Sequence, residues 1–158
     1  MKQVYNYWMP DTDNHFYRMI TKRISQGGPP EYQDDVRDAA YKYVTDFDVA
    51  LDIGANVGEV SLILSRDFGC STYSVEPEEV EFKCLKLNLE GHNSTFLNNP
   101  MWKEETQIPF YSANEELDSS CFETEDYTHI IQKKTVTLSE TSSNTWRKIV
   151  VRTGFTAC

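Results

Sequence analysis

The stretch Ala50-Leu51-Asp52-Ile53-Gly54-Ala55-Asn56-Val57-Gly58-Glu59 (ALDIGANVGE) decides how this chain is read. Val49 to Ile53 is a short apolar run with an acid one place before its end, and Gly54 and Gly58 interrupt it before a helical pattern begins at Glu59. A strand, a tight turn and a helix are therefore expected. Gly54 lets the backbone turn without a Cβ clash, and Gly58 allows close approach of helix to strand or of ligand to backbone. The first N–H groups of the helix have no partner within it and point at whatever lies beyond the strand end. This is the build of a nucleotide-type binding turn.

Outward from the turn, short apolar runs alternate with helical periods. Ser71 to Val75 and Thr95 to Asn98 read as strands, and Glu59 to Asp67 and Glu78 to Glu90 as helices. Strands separated by helices of about a dozen residues imply βαβ units and a parallel sheet, because parallel neighbours need a crossover of that length. The fold class expected is α/β, a Rossmann-like half. Upstream, HFYRMITKRIS (His15 to Ser25), capped by Asp13 or Asn14, and YQDDVRDAAYKYV, with Val36, Ala40, Tyr43 and Val44 on one face, read as two N-terminal helices parted by Gly27-Gly28-Pro29-Pro30. Downstream, Gln107 to Ser112, Thr128 to Leu138 and Lys148 to Arg152 read as strands joined by acidic and Ser-rich connections. The boundaries expected are a leader over 1–47 and a cofactor-binding domain over 48–158.

Glu76 stands 24 residues after Asp52, at the end of the second strand, where an acid can accept hydrogen bonds from both hydroxyls of a ribose. A dinucleotide turn reads G-x-G-x-x-G; here the pattern is D-x-G-x-x-x-G. An acid at Asp52 repels a pyrophosphate but suits a cofactor that carries an ammonium group and a ribose, such as S-adenosylmethionine.

DIGANVG, followed by Val75-Glu76-Pro77 and by a helix ending LKLNL (Leu85 to Leu89), strongly resembles the FkbM-type S-adenosylmethionine-dependent methyltransferases. These are class I, Rossmann-like enzymes that mostly O-methylate sugars or related small acceptors. The resemblance extends over roughly Asp48 to Leu138, including NNPMWKEE (Asn98 to Glu105) and KKTVTLSE (Lys133 to Glu140), and more weakly to YWMPDTDNHF (Tyr7 to Phe16) and Tyr32-Gln33 in the leader. It implies that Asp52, Gly54, Asn56 and Gly58 line the methionine side, that Glu76 takes the ribose, and that Asn98 or its neighbours meet the adenine edge. The family's next strand reads roughly Lys-Ile-Asp-Val-Glu-Gly; here RKIVVRTGFTAC (Arg147 to Cys158) has Val150 and Arg152 at the positions of the acids. A sheet incomplete on its C-terminal side is expected, from a truncated or frame-shifted copy or one that another chain completes, with an exposed edge that favours self-association.

Composition limits the alternatives. The 25 acidic and 15 basic residues leave a charge of -10, which disfavours nucleic acid and anionic membranes, since affinity for both rests on Lys and Arg. Cys70, Cys84, Cys121 and Cys158 form no C-x-x-C pair, so neither a zinc site nor a redox motif is indicated. Asp11 with Asp13, and Asp34-Asp35, match no metal loop, and no metal is expected. Without an apolar run of about 18 residues or a targeting pattern, a soluble cytoplasmic protein is expected.

For a hydroxyl acceptor a general base is expected. His15, in a leader that could fold over the pocket with Asp11 and Asp13, is the candidate; His92 and His129 read as structural. Tyr5, Tyr7, Trp8, Phe16 and Tyr17 read as an aromatic cluster covering the sheet edge, with stacking on adenine or a sugar ring as the alternative. The function expected is methyl transfer from S-adenosylmethionine to a small, sugar-like hydroxylated acceptor. A catalytically silent S-adenosylmethionine-binding module is the second reading, and a nicotinamide-dependent oxidoreductase the third.

Overall fold

A computed structural model of the chain describes residues 1–11, 15–30, 34–43, 49–113, 127–137 and 149–153. The expected caps Asp13 and Asn14, Tyr32-Gln33, Val44, Cys121, Arg147-Lys148, Gly154 and Cys158 lie outside them.

The chain opens with β1 (Lys2–Val4) and β2 (Tyr7–Met9), an antiparallel hairpin that turns at Tyr5, whose φ is 53°. Helix α1 (His15–Ser25) and helix α2 (Asp34–Tyr43) follow, as the periodicity predicts. The end of α1 closes with Gly27 in left-handed backbone at φ 79°, where its N–H and that of Gly28 reach back to the carbonyls of Ile24 and Arg23. The βαβ region comes next: β3 (Val49–Ile53), α3 (Glu59–Phe68), β4 (Ser71–Val75), α4 (Glu79–Asn88) and β5 (Ser94–Leu97). Then β6 (Gln107–Ala113) pairs antiparallel with β7 (Tyr127–Lys134), and β8 (Ile149–Thr153) returns to the main sheet.

Four strands form a parallel sheet in the order β5-β4-β3-β8, so the described residues make an α/β fold with a parallel core. Asp52 is in register with Ser74 on one side and with Arg152 on the other. Side chains alternate across a strand, so Ala50, Asp52, Thr72, Ser74 and Phe96 share one face. That face carries both crossover helices. Ala50 packs with Val60 and Leu64 of α3, Cys70 and Ala40 of α2, while Phe96 packs with Leu85 and Leu89 of α4. On the opposite face Leu51 and Val75 are also fully buried, in keeping with parallel sheets, which are covered on both sides. α2 is further tied to α3 by Arg37, whose Nε donates to Asp67 Oδ2 at 2.9 Å.

The leader shares a core with the sheet domain. Tyr7, Met9, Phe16 and Ile20 are buried together with Val57 of the glycine turn and Cys84 of α4, and the Tyr7 and Phe16 rings meet edge to face at 5.6 Å between centroids. Tyr7, Trp8, Phe16 and Tyr17 thus pack with the turn and α4, not on the sheet edge expected for them, while Tyr5 is exposed. The second departure is at β7: the strand expected through to Leu138 stops at Lys134, because Val136 pairs instead with Met101 and Trp102. Strands β6 and β7 form their own two-stranded sheet, outside the parallel one.

Candidate functional site

The turn between β3 and α3 rests on three residues of left-handed backbone, two apart: Gly54 at φ 75°, Asn56 at φ 51° and Gly58 at φ 92°. Glycine enters this region without steric cost, and Asn enters it more readily than other side chains do. The N–H groups of Gly54 and Ala55 both donate to the Val75 carbonyl, at 2.9 and 3.0 Å, and Gly58 N–H closes on the Ala55 carbonyl at 2.8 Å. A Cβ on Gly58 would lie 2.6 Å from Leu85 Cδ1 and 3.1 Å from Leu89 Cδ1. The close approach that Gly58 permits is therefore between the start of α3 and the flank of α4, rather than with a strand.

Glu76 holds this turn from the end of β4. Its Oε2 accepts the Asn56 N–H at 2.7 Å and its Oε1 accepts the Glu78 N–H at 2.8 Å. The carboxyl is buried, and burial pushes its pKa up to about 8, against the lowering effect of the two backbone donors; the charges of Glu81 and Glu78 add to the rise. When ionised, each carboxyl oxygen keeps one lone pair for a further donor such as a ribose hydroxyl; in the neutral form that burial favours, one of these positions is an O–H donor instead. Asn56 itself is exposed. The acid and the turn, 20 residues apart, are thus one hydrogen-bonded unit.

Asp52 lies deeper. Fully enclosed, its Oδ2 accepts the Ser61 hydroxyl at 2.8 Å, and Ser61 Oγ is 2.7 Å from Ser74 Oγ. Since the single Ser61 proton goes to the carboxylate, Ser74 donates to Ser61, giving a buried relay from Ser74 through Ser61 to Asp52. The carboxylate sits beneath α3, enclosed with these two hydroxyls.

Asn98, just past β5, faces the same strand ends. Its Nδ2 donates to the carbonyls of Glu76 at 2.9 Å and Pro77 at 3.2 Å. Lys133, from β7, donates through Nζ to the Pro77 carbonyl and to Asn98 Oδ1, the latter at 3.3 Å. Asn99 Nδ2 donates to the Lys134 carbonyl at 2.8 Å. The β6–β7 hairpin is thereby rooted at the carboxyl ends of β4 and β5.

Comparison with protein-family models, with curated proteins and with solved structures found no match for this chain.

His15 begins α1, and its side chain lies outside the described residues, as does Asp13. Asp11 pairs with the N-terminal amine. His92 Nδ1 is 3.0 Å from Ser65 Oγ, a contact that ties the α4–β5 turn to α3. Cys70 and Cys84 are free and buried, which pushes their thiols up to about 12 and about 11. Among the described residues no three metal-ligating side chains converge, and no helix is long and apolar enough to cross a membrane.

The sequence reading missed Ser61, Ser74, Asn88 and Lys133. Ser61 falls on the buried face of α3, an unusual place for a hydroxyl, and that was its available signal. For Lys133, which meets a carbonyl 56 residues away, no local pattern exists.

Proposed function

We propose that this chain binds S-adenosylmethionine at the carboxyl ends of β3, β4 and β5 and transfers its methyl group to a small, sugar-like hydroxylated acceptor. The observation that carries this reading is the direct bond between Glu76 and the Asn56 N–H, which joins the glycine turn and the acid of the next strand into one hydrogen-bonded unit. The order β5-β4-β3-β8, with both crossover helices on one face, supports a class I, Rossmann-like sheet. So does the resemblance of DIGANVG and VEP to the FkbM-type enzymes.

The residues fit the cofactor's parts. Turn residues Gly54, Asn56 and Gly58 offer backbone at a helix start, Asp52 supplies buried negative charge near a sulfonium or ammonium, and the remaining lone pairs of Glu76 suit vicinal hydroxyls. When bound, the cofactor supplies a methyl group already activated on a sulfonium. The protein's part is then to hold the acceptor oxygen in line and to take its proton, and His15 remains the candidate base. Among the described residues β5 and β8 are the outer strands of the sheet, and their edges are where a second copy would associate.

A second reading, a silent cofactor-binding module, is favoured by β8. The residues in register with Ala50 and Asp52 there are Val150 and Arg152, where the resembling enzymes carry acids.

Calorimetric titration of the chain with S-adenosylmethionine, S-adenosylhomocysteine and NAD tests the common part. Binding of the first two without NAD is expected; NAD binding alone, or none of the three, overturns it. Release of S-adenosylhomocysteine in the presence of candidate sugars then distinguishes the enzyme from the silent module.

A further inference from the structure

The N-terminal hairpin has little stability of its own. Strands β1 and β2 are three residues each, and a lone two-stranded hairpin is marginal at best in water. Its turn is costly as well, because the exposed Tyr5 sits at φ 53°, where a side chain with a Cβ is strained. What keeps it formed is α4. Both main-chain groups of Trp8, the middle residue of β2, bond the carboxamide of Asn88. Tyr7 and Met9, two apart and so on one face of β2, are buried in one cluster with Cys84 of α4.

The same contacts reach the glycine turn. Val57, between the left-handed Asn56 and Gly58, is buried in the cluster of Tyr7 and Met9, and its carbonyl takes the other N–H of Asn88. Only one orientation of this carboxamide is satisfied, since a flipped amide would set oxygen against the carbonyls of both Trp8 and Val57. The last torsion of an Asn side chain is soft, so the two bonds to Trp8 hold the amide where it can grip Val57. One residue before Val57, the Asn56 N–H is the group that Glu76 holds. We infer that hairpin β1–β2 is a strap that docks on α4 and lifts from it as a unit, and that its docking is coupled through Asn88 and Val57 to the formed glycine turn, so that a ligand seated at the turn locks the strap down. The inference rests on the cofactor reading above for the identity of that ligand. By linkage, the factor by which docking improves the ligand's affinity is the factor by which the ligand favours docking.

The probe is Cys84, buried with the strap, and the internal control is Cys70, buried in the separate cluster of Ala40, Ala50, Val60 and Leu64. The full chain is alkylated with iodoacetamide, with and without S-adenosylhomocysteine, and the labelling rate of each cysteine is read from peptide masses. In the ligand-free chain Cys84 should label about tenfold or more faster than Cys70, because lifting a hairpin is a smaller opening than unfolding the sheet. S-adenosylhomocysteine at about ten times its dissociation constant should slow Cys84 labelling about tenfold, the factor expected when only the docked form binds. Asn88→Ala should raise the Cys84 rate about tenfold relative to Cys70, and Tyr5→Gly, which relieves the left-handed turn, should lower it about twofold or more. If Asn88→Ala does not fold, Tyr5→Gly and the wild-type response to ligand decide. Equal labelling of the two cysteines, an unchanged ratio in the variants, or a Cys84 rate indifferent to a ligand that calorimetry shows to bind overturns the strap and leaves the cofactor reading standing. Failure of the wild type to bind the ligand defeats the cofactor reading and the coupling with it.

Discussion

The side chain of Asn88 treats Trp8 as a neighbouring strand would: its Oδ1 accepts the Trp8 N–H at 2.6 Å and its Nδ2 donates to the Trp8 carbonyl at 2.9 Å. The same Nδ2 donates to the Val57 carbonyl at 2.7 Å. One carboxamide at the end of α4 thus binds the N-terminal hairpin to the glycine turn, and both packing and hydrogen bonding make the leader part of the site's support.

Replacing Asn88 with Ala removes three bonds and leaves a half-buried Trp8 N–H without its acceptor. A loss of about 2 kcal/mol or more is expected from the unmet polar groups. Urea unfolding measures it. Asn88→Asp, which keeps the acceptor but sets a carboxylate oxygen against the Trp8 and Val57 carbonyls, should be no more stable than Ala, and an Ala variant as stable as wild type would show that the carboxamide has no such role.

Gly58→Ala combines two penalties: a left-handed φ of 92° and a Cβ 2.6 Å from Leu85 Cδ1. Overpacking and backbone strain together should cost about 3 kcal/mol. Gly69 has a similar φ of 69° but open space around its Cβ direction, so Gly69→Ala should cost only about 1 kcal/mol. The difference between the two variants, read from their denaturant midpoints, isolates the contact with α4.

At Asn56 the backbone conformation, φ 51°, is the main constraint, and the largely exposed side chain adds one bond, Oδ1 accepting the Val57 N–H at 2.8 Å, which both Gly and Ala would lose. Asn56→Gly should change stability by less than about 0.5 kcal/mol, while Asn56→Ala should cost about 1 kcal/mol. Equal effects in a thermal melt would show that the left-handed conformation is not what Asn56 supplies.

Glu76 makes stability depend on pH with a definite sign. Free, the carboxyl ionises near 4.5; in the folded chain burial raises this to about 8. Between these values the folded state holds a proton that the unfolded state has released, so stability is greatest below about 4.5 and falls as pH rises toward 8. Melting temperatures across this range should decline from this group, and Glu76→Gln should flatten that component. An identical pH slope in the variant would assign it to other groups.

Much of the architecture was legible without coordinates. Strands β3, β4 and β5 and helices α3 and α4 fall within two residues of their sequence-derived limits, because apolar period and glycine punctuation are local signals. The place of Glu76 at the end of β4 was legible too, but its bond to the Asn56 N–H was not. The hairpin β1–β2 was not: three-residue strands are too short to show alternation, and Tyr5 is not a residue that announces a left-handed turn.

Chain order, residue type and local period settled the βαβ run from β3 to β5, the acid at the end of β4 and the backbone freedom at positions 54 and 58. They could not settle partners distant along the chain. That Asp52 lies under α3 with Ser61 and Ser74, that Asn88 holds Trp8, and that Lys133 reaches Pro77 and Asn98 follow from which faces meet once the sheet is assembled. The physical reason is range: a local pattern records how a residue sits in its own helix or strand, whereas a buried polar group takes whichever partner tertiary packing brings within hydrogen-bonding distance.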